Sequence, residues 1–222
     1  MAVHLHTDEE IQRDVLEELK WDARVRPTEI GVAVKDGIVT LTGWVDSYLK
    51  KLAAEDAAHR VHGVKAVVND IEVHLPGSSE HTDDELAAAV LHALKWDANI
   101  PSDKLEVTVS QGWVTLQGEV DYAFQKQDAE RAIRHLSGIT GVSNFIKVKS
   151  QILPTDLKAS IEKALIRNAE IDAQHITTEV EGNKVILRGT VRSYTERKAA
   201  EEAAWSAPGV TVVVNEIMIS LS

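Results

Sequence analysis

The sequence contains no cysteine among its 222 residues. That absence excludes disulfide scaffolds, cysteine-ligated zinc, iron–sulfur clusters and thiol catalysis. An excess of basic charge is absent as well: 24 lysine and arginine residues stand against 35 aspartate and glutamate residues, which gives a net charge of −11. A chain of this charge does not bind nucleic acid by general attraction to phosphate, so we expect no nucleic-acid partner.

Long apolar runs are also absent. No stretch approaches the roughly 18 apolar residues that a membrane-spanning helix needs, so we expect no transmembrane segment. The first ten residues, MAVHLHTDEE, have neither the basic start nor the apolar centre of a secretory signal. The sequence as numbered therefore predicts a cytoplasmic protein, or a periplasmic one if a signal peptide has been removed.

Motifs of catalysis and cofactor binding are missing too. The sequence has no nucleophile elbow, no phosphate-binding loop and no dinucleotide fingerprint. Its histidines include the pairs His4-x-His6 and His59-x-x-His62, but neither pair recurs or has the partner acids that a metal site needs. We therefore expect no catalytic residues, no metal and no cofactor.

What the sequence does contain is an internal repeat. The segment Leu19–Ala23 recurs unchanged as Leu94–Ala98, at an offset of 75 residues. A third copy follows at a further offset of 71, and the two offsets together bring Gly43, Gly118 and Gly189 to one position. The chain thus divides into three homologous units, residues 1–75, 76–150 and 151–222.

Each unit predicts the element order αββαβ. In unit 1, Thr7 and Glu10 have the spacing of a capping box, and Ile11, Val15 and Leu19 recur every fourth residue on one helix face. Two alternating apolar segments then flank an Asp-Gly pair that favours a tight hairpin turn, and an alanine-rich helix and a last strand follow. The pattern predicts an α+β fold of three tandem units, each a small three-stranded mixed sheet packed by two helices.

A glycine-bounded strand motif also recurs, with its first glycine moved by one place in unit 3. In unit 1 it reads Gly-Ile-Val-Thr-Leu-Thr-Gly-Trp-Val over residues 37–45, and Gly63-Val64 and Asn69-x-Ile71-x-Val73 follow an alanine-rich helix. This pattern resembles the BON ("bacterial OsmY and nodulation") domain over nearly the whole chain. The resemblance implies a small αββαβ sandwich without known catalysis. It also implies binding to phospholipid or membrane surfaces, in connection with osmotic or envelope stress.

Five residues form the candidate set for ligand binding. Trp21 and Trp96 are equivalent residues just past the predicted end of the first helix, where an indole suits a lipid headgroup region or, alternatively, covers the core edge or a contact between units. A cation recurs early in the second helix, as Lys51, Lys126 and Arg197. These cations contact phosphate headgroups or a carboxylate on the next unit, or they belong to a solvated helix face with carboxylates four residues on.

Two kinds of function remain open. The first is a non-enzymatic binding protein whose three units form a multivalent surface for phospholipid headgroups or another envelope component. The second is a soluble cytoplasmic stress-response scaffold, or a chaperone-like protein, that acts through protein partners or self-association; the acidic composition favours it. Potassium sensing is a smaller alternative, because the related proteins associated with potassium carry a LysM domain and this sequence has none.

Overall fold

The computed structural model describes residues 6–25, 29–77, 81–149, 157–168 and 171–220. Unit 1 consists of α1 (Asp8–Trp21), β1 (Ile30–Lys35), β2 (Ile38–Val45), α2 (Tyr48–Arg60) and β3 (Ala66–Val73). Unit 2 consists of α3 (Asp83–Trp96), β4 (Leu105–Ser110), β5 (Trp113–Val120), α4 (Ala123–Ile133), β6 (Gly141–Asn144) and β7 (Lys147–Val148). Unit 3 consists of α5 (Leu157–Arg167), β8 (Ile176–Glu181), β9 (Lys184–Val191), α6 (Tyr194–Trp205) and β10 (Val212–Ile219). The predicted α+β fold of three tandem units is confirmed.

The second strand of each unit lies at the centre of its sheet. β1 and β2 form an antiparallel hairpin, and β3 pairs in parallel with the other edge of β2, which places α2 in the crossover between them. Units 2 and 3 repeat this order. Unit 2 differs in one respect, because its last strand is divided into β6 and β7, which both pair with β5.

The local signals in the sequence correspond to observed hydrogen bonds and torsion angles. The backbone N–H of Glu10 donates to the Thr7 hydroxyl at 3.2 Å, and the N–H of Thr7 donates to the Glu10 carboxylate at 2.9 Å, which completes the capping box at the start of α1. Asp36 and Gly37 both have positive φ, 54° and 76°, as a tight primed turn requires. These short-range interactions set where α1 begins and where the hairpin turns.

Each unit has its own hydrophobic core between the sheet and its two helices. In unit 1, Ile11, Val15 and Leu19 of α1 are buried together with Ala54 and Ala58 of α2. The alanines add little bulk, so α2 lies close to the sheet. The equivalent residues form separate cores in units 2 and 3, and each repeat is therefore packed as a structural unit.

A recurring asparagine connects the second helix to the last strand. The Asn69 amide donates to the carbonyl oxygen of Lys51 at 3.1 Å and to the Glu55 carboxylate at 3.0 Å, and its Oδ1 accepts from the N–H of Ile71 at 3.3 Å. The same three bonds occur at the equivalent positions of units 2 and 3. One polar side chain thus satisfies backbone groups of both elements and fixes their separation.

Candidate binding surface and contacts between the units

The two equivalent tryptophans project into solvent. Trp21 is the last residue of α1 and is 83% exposed, and Trp96 is the last residue of α3 and is 82% exposed. Neither indole therefore covers the edge of a core or a contact between units. Because these two large apolar rings are accessible and recur at one position, both are available for contact with a ligand or a partner.

The surroundings of the two indoles differ in charge. Trp21 lies in a shallow depression with the carboxylates of Glu17 and Glu18 and the guanidinium of Arg60. Trp96 instead stacks on His92, with ring centroids 5.7 Å apart and 22° between the planes. The indole of unit 1 thus has carboxylates and a guanidinium beside it, while the indole of unit 2 has an aromatic neighbour and the carboxylate of Asp97.

The residue after Trp21 anchors the end of α1. The buried Asp22 carboxylate accepts from Nε and Nη2 of Arg24 at 2.9 and 2.7 Å, and from Nη2 of Arg60 at 3.1 Å. These bonds, with those from Arg24 as the largest cause, hold the pKa of Asp22 well below its usual value, although burial opposes them. Arg60 also donates to Glu18 at 2.7 Å, so α1 and α2 are held together beside Trp21.

The three recurring cations lie near the start of the second helix in their units. Lys51 and Lys126 are half-buried. Arg197 donates to the backbone carbonyl oxygens of Ile217 and Asn215, at 3.1 and 3.0 Å, and is therefore bound to the last strand of its own unit. The guanidinium of Arg197 thus has a structural role in addition to any contact with a ligand.

The structure does not bring the tryptophan and the recurring cation of unit 1 together. Trp21 lies beside Arg60, the last residue of α2, whereas Lys51 lies nine residues earlier on that helix. At a rise of 1.5 Å per residue, this spacing separates the two backbone positions by about 13 Å. Glu55, the expected partner of Lys51, accepts a hydrogen bond from Asn69. One small headgroup therefore does not contact both candidates.

The second helices also form contacts between units, which the sequence did not reveal. Tyr48, at the start of α2, packs against the core of unit 2, and a hydrogen bond joins its hydroxyl to the backbone of Val142. Tyr194, at the equivalent position of unit 3, stacks on His59 near the end of α2. Burial of the hydroxyls is the largest cause of the raised pKa values of both tyrosines.

The contacts between units follow one pattern, in which the start of one second helix lies against the end of another. Tyr48 lies near Arg134, which is the unit 2 equivalent of His59, so the contacts of units 1 and 3 use matching positions. Between units 2 and 3, Ala123 stands at the tyrosine position and lines a cavity together with Trp205, the unit 3 equivalent of His59. The start of each second helix thus faces the end of the next one, and the contacts close into a ring.

The BON domain family model matches three segments of the chain, residues 7–74, 82–150 and 155–220. The chain belongs to the BON family. The resemblance found in the sequence is thereby confirmed, and the three units are BON units. Among the residues that the structure describes, no helix is long and apolar enough to cross a membrane.

One curated relative of this BON protein is Osmotically-inducible protein Y of Escherichia coli (strain K12). The two sequences are 28% identical over 131 residues, which cover 56% of this chain and 64% of the relative. The match thus spans just under two thirds of that protein's length.

Two solved structures of CdsD, a structural protein of the type III secretion system of Chlamydia trachomatis, also match. They are 11% and 12% identical in sequence, and each alignment covers 94% of this chain and 96% or 91% of the other. The TM-scores are 0.27 and 0.28, values at which the likeness supports no statement about fold or function.

Proposed function

We propose that this BON protein is a non-catalytic protein of the osmotic stress response that binds phospholipid surfaces through Trp21 and Trp96. The exposure of these two equivalent side chains, 83% and 82%, carries the proposal. Insertion into a headgroup region removes the apolar ring from water and leaves the indole N–H able to form hydrogen bonds. The stress context comes from the similarity to Osmotically-inducible protein Y.

General electrostatic attraction does not drive the proposed binding. The chain carries a net charge of −11, and Glu17 and Glu18 lie beside Trp21. Anionic lipids repel such a surface, while the indole itself has no charge to screen. Trp96 lies beside His92, Ala93 and a single carboxylate, that of Asp97, and therefore faces less repulsion than Trp21. We therefore expect Trp96 to contribute more than Trp21 on anionic membranes, and the two to contribute about equally on zwitterionic ones.

Lys51 and Lys126 add separate contacts to phosphate groups in this proposal. They lie at the far end of the second helix from the tryptophans, so they reach other headgroups than those that the indoles contact. Arg197 contributes less, because its guanidinium already donates to two backbone carbonyl groups. Several weak contacts on one chain increase the total affinity if they engage together.

The second candidate is a cytoplasmic stress-response scaffold that acts through protein partners. The carboxylates of Asp14, Glu17 and Glu18 beside Trp21 favour it, because they outnumber the single guanidinium of Arg60 there and so also fit a basic protein surface. The cytoplasmic location stays a prediction. Both candidates use the same indoles, so a lipid-binding experiment separates them.

The test is co-sedimentation with vesicles over a range of salt concentrations. Vesicles of phosphatidylcholine alone and of phosphatidylcholine mixed with phosphatidylglycerol are compared for the wild type and for the double variant Trp21→Ala/Trp96→Ala. Trp44→Ala is the matched control, because Trp44 is 43% exposed and stacks on His74 but has no tryptophan at its equivalent positions.

We expect the wild type and the control variant to sediment with vesicles and the double variant to stay in the supernatant. Equal sedimentation of the wild type and the double variant would assign the contact to other residues. A wild type that ignores every vesicle at every salt concentration would contradict the lipid proposal and leave the protein-partner candidate.

A further inference from the structure

The contact between units 2 and 3 lacks the tyrosine ring that the other two contacts contain. Tyr48 and Tyr194 occupy this place between units 1 and 2 and between units 3 and 1, whereas unit 2 has Ala123 there. A cavity of about 450 Å³ lies at this position and is lined by residues of both units. Its volume is in the range of about 300–1,000 Å³ that is typical of small-molecule sites.

Aromatic and apolar side chains form much of the cavity wall. Tyr122 and Phe124 flank the buried Ala123 and stack on each other, with centroids 5.5 Å apart and 15° between the planes, and Trp205 lies on the unit 3 side. The residues that flank Tyr48 and Tyr194 are not aromatic. Aromatic flanking residues therefore occur only in the unit that lacks the central tyrosine.

Polar and acidic groups complete the cavity. Gln127 and Ser206 offer hydrogen-bonding side chains, and Asp121 and Glu202 carry negative charge. Lys104 donates to the Asp121 carboxylate at 2.9 Å, which neutralises part of that charge. A ligand with a hydroxyl or ammonium group finds hydrogen-bond partners here, while an anionic ligand meets repulsion from Glu202.

We propose that this cavity binds a small neutral or cationic aromatic molecule of the phenol type, whose ring takes the place of the missing tyrosine. At the two equivalent contacts between units, the phenol ring of a tyrosine occupies this position. A preformed cavity with aromatic side chains in its wall binds such a ring without the cost of opening the contact. The site is separate from Trp21 and Trp96 and does not depend on lipid binding.

The test uses p-cresol, which reproduces the side chain of tyrosine. Titration of the labelled full chain, followed by NMR, is expected to give saturable shifts of the Ala123 methyl and the Trp205 indole N–H, and none at Trp21. Ala123→Tyr fills the cavity from within and is expected to weaken p-cresol binding by at least about tenfold. Ala123→Ser, which keeps the cavity open, is the matched control and should bind as the wild type does.

The wild-type titration decides the matter even if Ala123→Tyr fails to fold. No saturable shift at Ala123 or Trp205 would overturn the proposal, and so would unchanged binding by a folded Ala123→Tyr variant. Two further ligands test the effect of ligand charge. Cationic tyramine should bind at least as tightly as neutral p-cresol, and anionic 4-hydroxyphenylacetate should bind more weakly. Tighter binding of tetramethylammonium than of p-cresol would show a cation site and contradict the aromatic assignment.

Discussion

The imidazole of His59 stacks on the phenol ring of Tyr194, with ring centroids 3.6 Å apart and 11° between the planes. These residues belong to the first and third units, so the stack closes the ring of contacts between units that are distant in sequence. Burial lowers the pKa of His59, while the neighbouring carboxylates of Glu55 and Asp56 oppose that effect. The neutral imidazole is thus the form that the folded contact favours.

The His59 stack predicts a loss of stability in mild acid. Because the pKa of His59 is lower in the folded state than its usual value of 6.5, the unfolded state takes up the proton more readily. The contribution of the neutral His59 imidazole to the free energy of unfolding is complete above about pH 6.5 and is lost as the pH falls below that value. Urea unfolding of the wild type at about pH 7.5 and about pH 5.5 should show this loss, and His59→Phe, which keeps a flat ring without titration, should show less. Equal losses would contradict the assignment.

The position of Tyr48 between units 1 and 2 predicts a loss of stability when its ring is removed. Removal of its ring in Tyr48→Ala leaves a cavity against the core of unit 2 and breaks the bond to Val142. We expect a decrease of about 2 kcal/mol in the free energy of unfolding. The neighbouring Leu49 is 37% exposed, so Leu49→Ala should cost less than about 1 kcal/mol. The measurement is denaturant unfolding, and a smaller loss for Tyr48→Ala than for Leu49→Ala would show that the contact contributes little.

We expect the same substitution to cost more stability at Asp22 than at Asp97, its equivalent in unit 2. Asp22 is buried and accepts from Arg24 and Arg60, whereas Asp97 accepts from the backbone N–H of Asn99 at 2.9 Å. We expect Asp22→Asn to destabilise the protein by about 2 kcal/mol and Asp97→Asn by less than half of that.

The pH dependence of the free energy of unfolding also tests the role of the Asp22 carboxylate. Its pKa is lower in the folded than in the unfolded state, so its contribution is present above the usual value of 3.8 and is lost as the pH falls below that value. Chemical unfolding between about pH 5 and pH 3 should show a smaller loss of stability for Asp22→Asn than for the wild type. Parallel curves for the two proteins would contradict the role of the Asp22 charge.

Gly118, in the central strand of unit 2, predicts a steric requirement. Its φ is +129°, and a Cβ atom there would lie 2.2 Å from the carbonyl oxygen of Lys104. Gly118→Ala should therefore cost at least about 2 kcal/mol, because the backbone must move. Gly77 has no atom within 4 Å of the corresponding Cβ position, and Gly77→Ala should change stability by less than about 0.5 kcal/mol. Thermal unfolding of both variants makes the comparison.

The elements of the fold were predictable because their causes lie within a few residues of one another. The capping pair Thr7 and Glu10, the four-residue spacing of Ile11, Val15 and Leu19, and the tight turn all act locally. Threefold repetition of the pattern strengthened each assignment. The division of the last strand of unit 2 into β6 and β7 was not predicted, because the sequence pattern of that strand matches its undivided equivalents.

The candidate site was predicted only in part. The sequence identified Trp21 and Trp96 as equivalent but left open whether they are buried, which depends on what packs beside the helix end. It also grouped the tryptophans with Lys51, Lys126 and Arg197. In the structure these cations lie near the start of the second helix, whereas Trp21 lies beside its end. The repeat spacings of 75 and 71 residues align Tyr48 with Ala123 and Tyr194. No local sequence pattern shows which surface these residues contact.

By itself, the sequence determined the family, the repeat and the fold of each unit, since these follow from periodicity and turn chemistry within about 70 residues. The tertiary structure alone decided how the units contact one another. Tyr48 meets Val142, and Tyr194 meets His59, across long stretches of sequence whose relative orientation no local propensity encodes. The open cavity beside Ala123 lies at the position where the other two contacts between units contain a tyrosine ring.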